Sequence, residues 1–175
     1  RLHRKGFVAP ALDQLESTNI SPGGYVMQSI PGIHDNVIVL DFKSLYPSII
    51  RSFHVDPLAL IEGLDEDNPI EGYDGGLFSR DKYILPDLIK YLWAARDRAK
   101  ANGNAVLSQA IKIIMNSFYG VLGTIGCRFF DSRLVSSITK RGHEIIIQSK
   151  EFIEKNGYQV IYGDTDSVFV LLGNV

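Results

Sequence analysis

The stretch that most constrains the fold is "YQVIYGDTDSVFVLL", Tyr158 to Leu172. Two apolar, β-branched runs flank a short polar break, a pattern that pairs with itself as a β-hairpin with a tight turn. Asp164 and Asp166 sit at the break, with Gly163 in front. In extended backbone, side chains two residues apart leave the same side of the strand, which would bring these carboxylates together. Two carboxylates so close raise each other's pKa unless a cation neutralises them. A hard divalent ion with oxygen ligands does so, and Mg²⁺ typically takes one or two protein carboxylates plus substrate phosphates. The plainer alternative is that Asp and Gly simply build the turn.

A third carboxylate lies elsewhere in the chain. "NVIVLDF", Asn36 to Phe42, is a β-branched run typical of a buried strand, and Asp41 closes it. Burying Asp41 unpaired would be costly, so it needs a partner. If this strand neighbours the hairpin, Asp41, Asp164 and Asp166 converge on one patch. The alternative is that Asp41 caps the helix beginning near Ser44. "SLYPSIIRSF" reads as strand end, turn and helix start over Ser44 to Phe53, with Pro47 in the first turn.

Helical spacing dominates the middle of the chain. "RDKYILPDLIKYLWAARDRAKA" repeats at Leu85, Leu88, Ile89, Leu92 and Trp93, starts near Pro86 and stops at Asn102 to Asn104. "AVLSQAIKIIMNSFYG" resumes helix up to Gly120, so the two predict an antiparallel helical hairpin. Leu107, Ile111, Ile114, Met115 and Phe118 are expected in its core. A third helix is expected over residues 134 to 157, ending at Gly157. Residues 54 to 79, acidic and bearing Gly and Pro, read as a solvated loop, and "SPGGY", Ser21 to Tyr25, as a turn. Residues 1 to 20 show no clean period beyond a short helical turn in "ALDQLEST". Helices together with an antiparallel β-hairpin predict an α+β fold.

Charge is placed unevenly. Glu62, Asp65, Glu66, Asp67, Glu71 and Asp74 crowd one stretch, and Lys90, Arg96, Arg98, Lys100 and Lys112 the next. Arg96 and Lys100 are four apart on one helix face, while Ser108, Lys112, Asn116 and Tyr119 share another. Cations so spaced can grip a polyphosphate. For Arg96, Arg98 and Lys100 alone, solvated charge is the usual explanation, but Lys112 interrupts an otherwise apolar run. A net charge of −2 excludes a general basic field for nucleic acid, so any such binding is local. One cysteine excludes an internal disulfide and, with four scattered histidines, disfavours a zinc site, which suits the cytosol. No apolar run approaches a membrane span, and no membrane role is expected. The start "RLHRKGF" and the end "FVLLGNV" read as a piece cut from a larger protein.

Three motifs resemble those of the family B DNA polymerases. "DFKSLYPSII", Asp41 to Ile50, is similar to the first palm motif; "KIIMNSFYG", Lys112 to Gly120, to the fingers motif; "YGDTDS", Tyr162 to Ser167, to the second palm motif. They occur in the family's order, and "GGYVM" and "CRFFDSRL" look most like its bacterial members. The resemblance implies an antiparallel-sheet palm carrying the acids, formed by residues 1–78 and 121–175, with a two-helix fingers hairpin inserted at 79–120. It implies template-directed transfer of a deoxynucleoside monophosphate from a dNTP to a primer 3′-hydroxyl, with two Mg²⁺ ions, or Mn²⁺ in their place. Asp41, Asp164 and Asp166 would be catalytic, with Asp41, Asp166 and the Phe42 carbonyl as metal ligands. Ser44, Leu45, Tyr46, Arg96, Lys100, Lys112, Asn116 and Tyr119 would bind the nucleotide, Tyr46 lying under the sugar as a gate against a 2′-hydroxyl. Gly23, Gly24 and Gly120 would approach the primer-template DNA. The fingers would hinge near residues 78–80 and 120–126. A sliding clamp, engaged through other segments, and a bacterial, nucleoid-associated setting are further expectations. The family's aromatic template contact cannot be carried over to Ser21, because the motif here reads "SPGG". A chain of this extent alone is expected to show little or no synthesis. Two rivals weighed against this reading are a nucleotide-sugar transferase, which also uses Asp-x-Asp with a divalent ion, and a binding module that keeps the fold without catalysis.

Overall fold

The computed structural model describes residues 2–11 and 22–173, so most of the "ALDQLEST" turn, and Ser21, lie outside the described residues. The hairpin forms as its pattern dictates. Strands β4 (Gln159–Asp164) and β5 (Ser167–Leu171) pair antiparallel, and β1 (Val37–Asp41) adds to the other side of β5, giving the order β1-β5-β4. The register sets Asp41 opposite Ser167 on one side and Asp164 opposite Ser167 on the other.

β1 is not the buried strand its composition suggests. It lies at the sheet edge, and Ile38, Val39 and Leu40 are each more than 40% exposed. The central strand β5 is the one whose alternate residues, Val168 and Val170, are buried.

Among the described residues, five α-helices accompany the strands: α1 (Leu45–Ser52), α2 (Pro57–Glu62), α3 (Leu85–Ala101), α4 (Ala105–Leu122) and α5 (Ser132–Lys155). The long α5 packs on α1, α4, β4 and β5. Its buried residues Leu134, Ile138, Gly142 and Ile146 recur every four positions, the stripe of a helix laid along a core. Leu134 and Ile138 join a cluster with Ile50, Val55, Leu60, Phe78, Ile89 and Leu122, while Ile146 joins a second one under the sheet with Met27, Val160, Val168 and Val170.

Residues 54–79 are not a loop. They hold α2, a 3₁₀ turn at Gly63–Asp65 and a two-stranded sheet of β2 (Ile70–Glu71) and β3 (Leu77–Phe78). Val55, Leu58, Ala59, Leu60 and Phe78 are buried here, while Ile61 and Leu64 stay exposed. The determinant is Asp56, 3% exposed. Its Oδ1 accepts from Leu58 N at 2.8 Å and Ala59 N at 3.0 Å at the start of α2, and its Oδ2 accepts from Leu85 N at 2.8 Å at the start of α3. One carboxylate thus satisfies the free amides of two helices.

The residues expected to hinge α3 are tied down as well. Ser79 N donates to Ala59 O at 2.9 Å, and Ser79 Oγ donates to Glu66 while accepting from Asp81 N and Lys82 N. Arg80 N and Nε donate to Glu66 and to the Asn68 carbonyl. At the other expected hinge, residues 120–122 are helical, so Gly120 lies inside α4 and the helix ends at Gly123.

α3 and α4 are joined through Asn102–Asn104, where Gly103 has φ +68° and Asn104 Oδ1 accepts from Leu107 N at 3.0 Å. The buried stripe of α4 is Ser108, Ile111, Met115 and Leu122; Leu107 and Ile114, expected in the core, are 47% and 48% exposed. By length and composition alone α4 would suffice to cross a membrane, contrary to the expectation that no segment approaches a span. Its packing against the charged helix α3 accounts for it as half of a helical hairpin.

Candidate active site

The acids meet across strands. Asp41 ends β1 beside the hairpin tip, and Phe42 N donates to the Asp166 carbonyl at 2.8 Å, which fixes the backbone of one acid next to the other. Burial pushes the Asp166 carboxyl above the usual carboxylate range; the nearby charge of Asp41 raises it further, and that of Asp164 less. The cross-strand pair is therefore the stronger coupling, and the sequence-adjacent pair the weaker.

The reason is the turn. Thr165 has φ +52°, and Asp166 N donates to the Asp164 carbonyl at 2.6 Å, so the backbone between the two acids is not extended. The same-side argument from spacing does not apply to it. Asp164 is exposed, and its Oδ1 accepts from Thr165 Oγ1 at 2.8 Å.

Among the described residues, no group of three or more His, Cys, Asp or Glu side chains is arranged as a metal cage. Asp41 and Asp166 fit a divalent ion in another way. They are two carboxylates brought together across strands, one exposed and one half-buried, with no salt-bridge partner among the described residues. Mg²⁺ is commonly held by one or two carboxylates, with water and phosphate filling the remaining positions. Asp41 does not cap α1: Ser44, at φ +54°, is the N-cap residue, and no side chain caps the helix. The first-turn amides of Leu45 and Tyr46 thus have no side-chain acceptor, and such amides favour an anion.

Tyr46 rises from that first turn toward the acids. Its hydroxyl is pushed up to about 12 by burial first, then by Tyr119, Asp166 and Asp164, so it stays protonated at neutral pH. The Tyr46 and Tyr119 rings lie 4.7 Å apart between centroids. On another side, a Cβ at Gly142 would stand 3.3 Å from Tyr46 Cε1. Gly142 was not anticipated from sequence, where an isolated glycine in a helical pattern hints at close packing without naming its neighbour.

The cations divide. Lys112 is exposed on α4, and its charge reaches Asp166, pulling that carboxyl down against the other influences. Asn116 and Lys100 are exposed. Arg96 is not the solvated charge its helix suggests: it is 9% exposed, and its Nε and Nη1 have no hydrogen-bond partner among the described residues. A buried guanidinium with free donors is costly and calls for an anion. Gly120 and Gly23 have open space where a Cβ would stand among the described residues, whereas at Gly24, itself exposed, that space is filled by Thr165. The structure thus brings Asp41, Asp166, Tyr46, Tyr119 and Lys112 into one neighbourhood. It sets Gly24 against the chain's own turn.

The whole stretch, residues 1–175, matches the family model for DNA polymerase family B. The chain belongs to that family. This family B chain is 58% identical over 175 residues to DNA polymerase II of Escherichia coli (strain K12), covering 98% of this chain and 22% of that protein. It is 33% identical over 163 residues to a DNA polymerase of Thermococcus gorgonarius, covering 86% of this chain and 21% of that one. It is 30% identical over 175 residues to the DNA polymerase alpha catalytic subunit of Drosophila melanogaster, 93% of this chain and 12% of that one. The solved structure of the family B DNA polymerase from the archaeon Pyrobaculum calidifontis superposes with a TM-score of 0.73 at 28% identity, over 98% of this chain and 25% of that one. The likeness to bacterial members holds in the 58% identity, and the family B chain spans only a fraction of each relative.

Proposed function

We propose that the chain is the catalytic core of a DNA-directed DNA polymerase, adding deoxynucleoside monophosphates from dNTPs to a primer 3′-hydroxyl on a DNA template. The observation that carries this reading is the cross-strand pair Asp41 and Asp166, with Lys112 and Tyr46 within electrostatic reach of Asp166. In this reading β1, β4, β5 and α5 belong to the palm, and α3 with α4 form the fingers, dividing the chain at 1–78, 79–120 and 121–175.

Asp41, Asp166 and the Phe42 carbonyl hold two Mg²⁺ ions, for which Mn²⁺ can substitute. When bound, the ions lower the pKa of the primer hydroxyl and neutralise the departing pyrophosphate. Asp164, anchored by Thr165 Oγ1, adds negative charge beside the pair without ligating. The first-turn amides of α1, from Ser44 to Tyr46, receive the triphosphate, and the free donors of Arg96, with Lys100, Lys112 and Asn116, share its charge. Tyr46, wedged between Tyr119 and the bare backbone of Gly142, presents a rigid ring under the sugar, and Gly120 leaves room for the nascent pair. Primer-template DNA and dNTP are the partners, with a sliding clamp reached through other segments, in a bacterial cytoplasm near the nucleoid.

Primer extension by the full-length protein tests the proposal. Extension should require a divalent ion and fall at least about 10³-fold in Asp41→Ala with the fold intact, the loss that several kcal/mol of charge stabilisation represents. Near-normal, metal-independent extension would overturn it.

A further inference from the structure

The residues after the paired glycines run antiparallel beside β4. Met27 N donates to Gly163 O at 2.8 Å, Ile30 N donates to Ile161 O at 2.9 Å, and Val26 bridges to Asp164. At the tip, Thr165 N donates to Tyr25 O at 2.8 Å. The other side of the segment is fixed to α5, where His143 Nε2 lies 2.8 Å from Gly23 O and the His143 ring 5.5 Å from that of Tyr25. The segment therefore couples α5 to the turn that carries the acids.

Gly24 stands at the closest point. A Cβ there would lie 2.2 Å from Thr165 Oγ1, 3.0 Å from its Cγ2 and 3.1 Å from its Cβ, while a Cβ on neighbouring Gly23 meets nothing within 4 Å among the described residues. Thr165 is itself strained, a β-branched residue at φ +52° whose hydroxyl donates to Asp164 Oδ1 at 2.8 Å. Such a residue holds that conformation only when its surroundings over-determine it. The backbone of Gly24, its neighbour's carbonyl and the Asp164 carboxylate supply that determination.

We propose that Gly24 is a positioning residue for the acidic turn, its missing side chain letting the backbone close over Thr165 and so setting the direction in which Asp166 leaves the hairpin. The inference rests on the reading of Asp41 and Asp166 as metal ligands. It gives Gly24 an intramolecular role, distinct from contact with template. A methyl group at position 24 must either turn the Thr165 hydroxyl off Asp164 or push the segment away and break the Thr165 N to Tyr25 O bond. Both outcomes loosen the turn.

The test uses the full-length protein without DNA. Amide hydrogen exchange at Thr165 and Mn²⁺ titration followed by electron paramagnetic resonance are measured on the wild type, Gly24→Ala, Gly23→Ala, Thr165→Gly, the double variant Gly24→Ala/Thr165→Gly and Asp166→Asn. Gly24→Ala should exchange the Thr165 amide at least about tenfold faster, as a bonded amide opens, and bind Mn²⁺ about 10–100-fold more weakly, the usual cost of losing support around a metal ligand. Gly23→Ala should leave Thr165 exchange unchanged. In the Thr165→Gly background the clash is gone, so adding Gly24→Ala should change Mn²⁺ affinity no further. Unchanged exchange and affinity in Gly24→Ala, or an equal loss in both backgrounds, would overturn the inference. Retention of Mn²⁺ binding by Asp166→Asn would instead count against the metal reading, and the exchange result would then decide the role of Gly24 by itself.

Discussion

Asp166 shows at the scale of one residue how a site departs from what stability favours. Its carboxyl sits above the usual range through burial and the charges of Asp41 and Asp164. A raised carboxyl pKa means that the folded state binds the proton more tightly than the unfolded state, so this group's contribution falls as pH rises from the unfolded value through the folded one. Asp166→Asn should therefore melt at a higher temperature than the wild type at pH 7 without divalent ions, and the gap should close as the pH falls through the raised value. Saturating Mg²⁺ should close it from the other side by stabilising only the wild type. Thermal melts at several pH values check this, and a destabilised Asn variant at neutral pH would contradict it. The three acids were legible in the sequence, and the family resemblance already set Asp41 with Asp166 as the ligand pair; spacing alone did not. Spacing joins Asp164 with Asp166, whereas across the β1–β5 pairing the charge of Asp41 raises the Asp166 carboxyl more than that of Asp164 does.

At the scale of elements, hydrophobic period was a good guide where helices are long. α3, α4 and α5 lie close to their expected limits because apolar stripes mark them and Asn-Gly pairs stop α3 and α5. The guide failed over residues 54–79, where the elements are shorter than the windows in which a period can be read. There the deciding group is polar: Asp56 starts α2 and α3 together. Asp56→Ala should cost about 2–4 kcal/mol, the sum of two lost helix caps and a buried amide left unpaired. Chemical denaturation measures the loss. Asp56→Asn, which keeps the Oδ1 acceptor, should cost less, and an Ala variant within about 0.5 kcal/mol of the wild type, the size of an ordinary surface change, would sink this account of how α3 is held. β1 misled for another reason. Its β-branched run reads as interior, yet it stands at the sheet edge, and composition does not record how many neighbours a strand has.

At the scale of the whole molecule, the order of motifs along the chain carried the family, while the tethering of the site to its surroundings was invisible. Nothing in the spacing of "SPGG" and "GDTDS" announces that Gly24 meets Thr165, because contacts between distant segments leave no local period. The chain covers 22% of its Escherichia coli relative and carries a net charge of −2. Duplex binding needs several phosphate contacts at once and weakens steeply with salt when few are available. The isolated 175-residue chain should therefore show little or no templated synthesis at near-physiological salt while still binding Mn²⁺. Primer extension beside the full-length protein checks this, and robust extension by the isolated chain would mean that DNA is held within these residues.

In the proposed polymerase reading, Asp41 and Asp166 work as a pair across strands, with Asp164 supporting them. Single-turnover incorporation by the full-length protein, comparing Asp41→Asn, Asp166→Asn and Asp164→Asn at saturating dNTP and Mg²⁺, tests it most directly. The account predicts losses of about 10³-fold or more for the first two and about tenfold for the third, since only the first two remove direct stabilisation of transition-state charge. An Asp164→Asn defect as deep as that of Asp166→Asn, or a near-normal rate in Asp41→Asn, would contradict it.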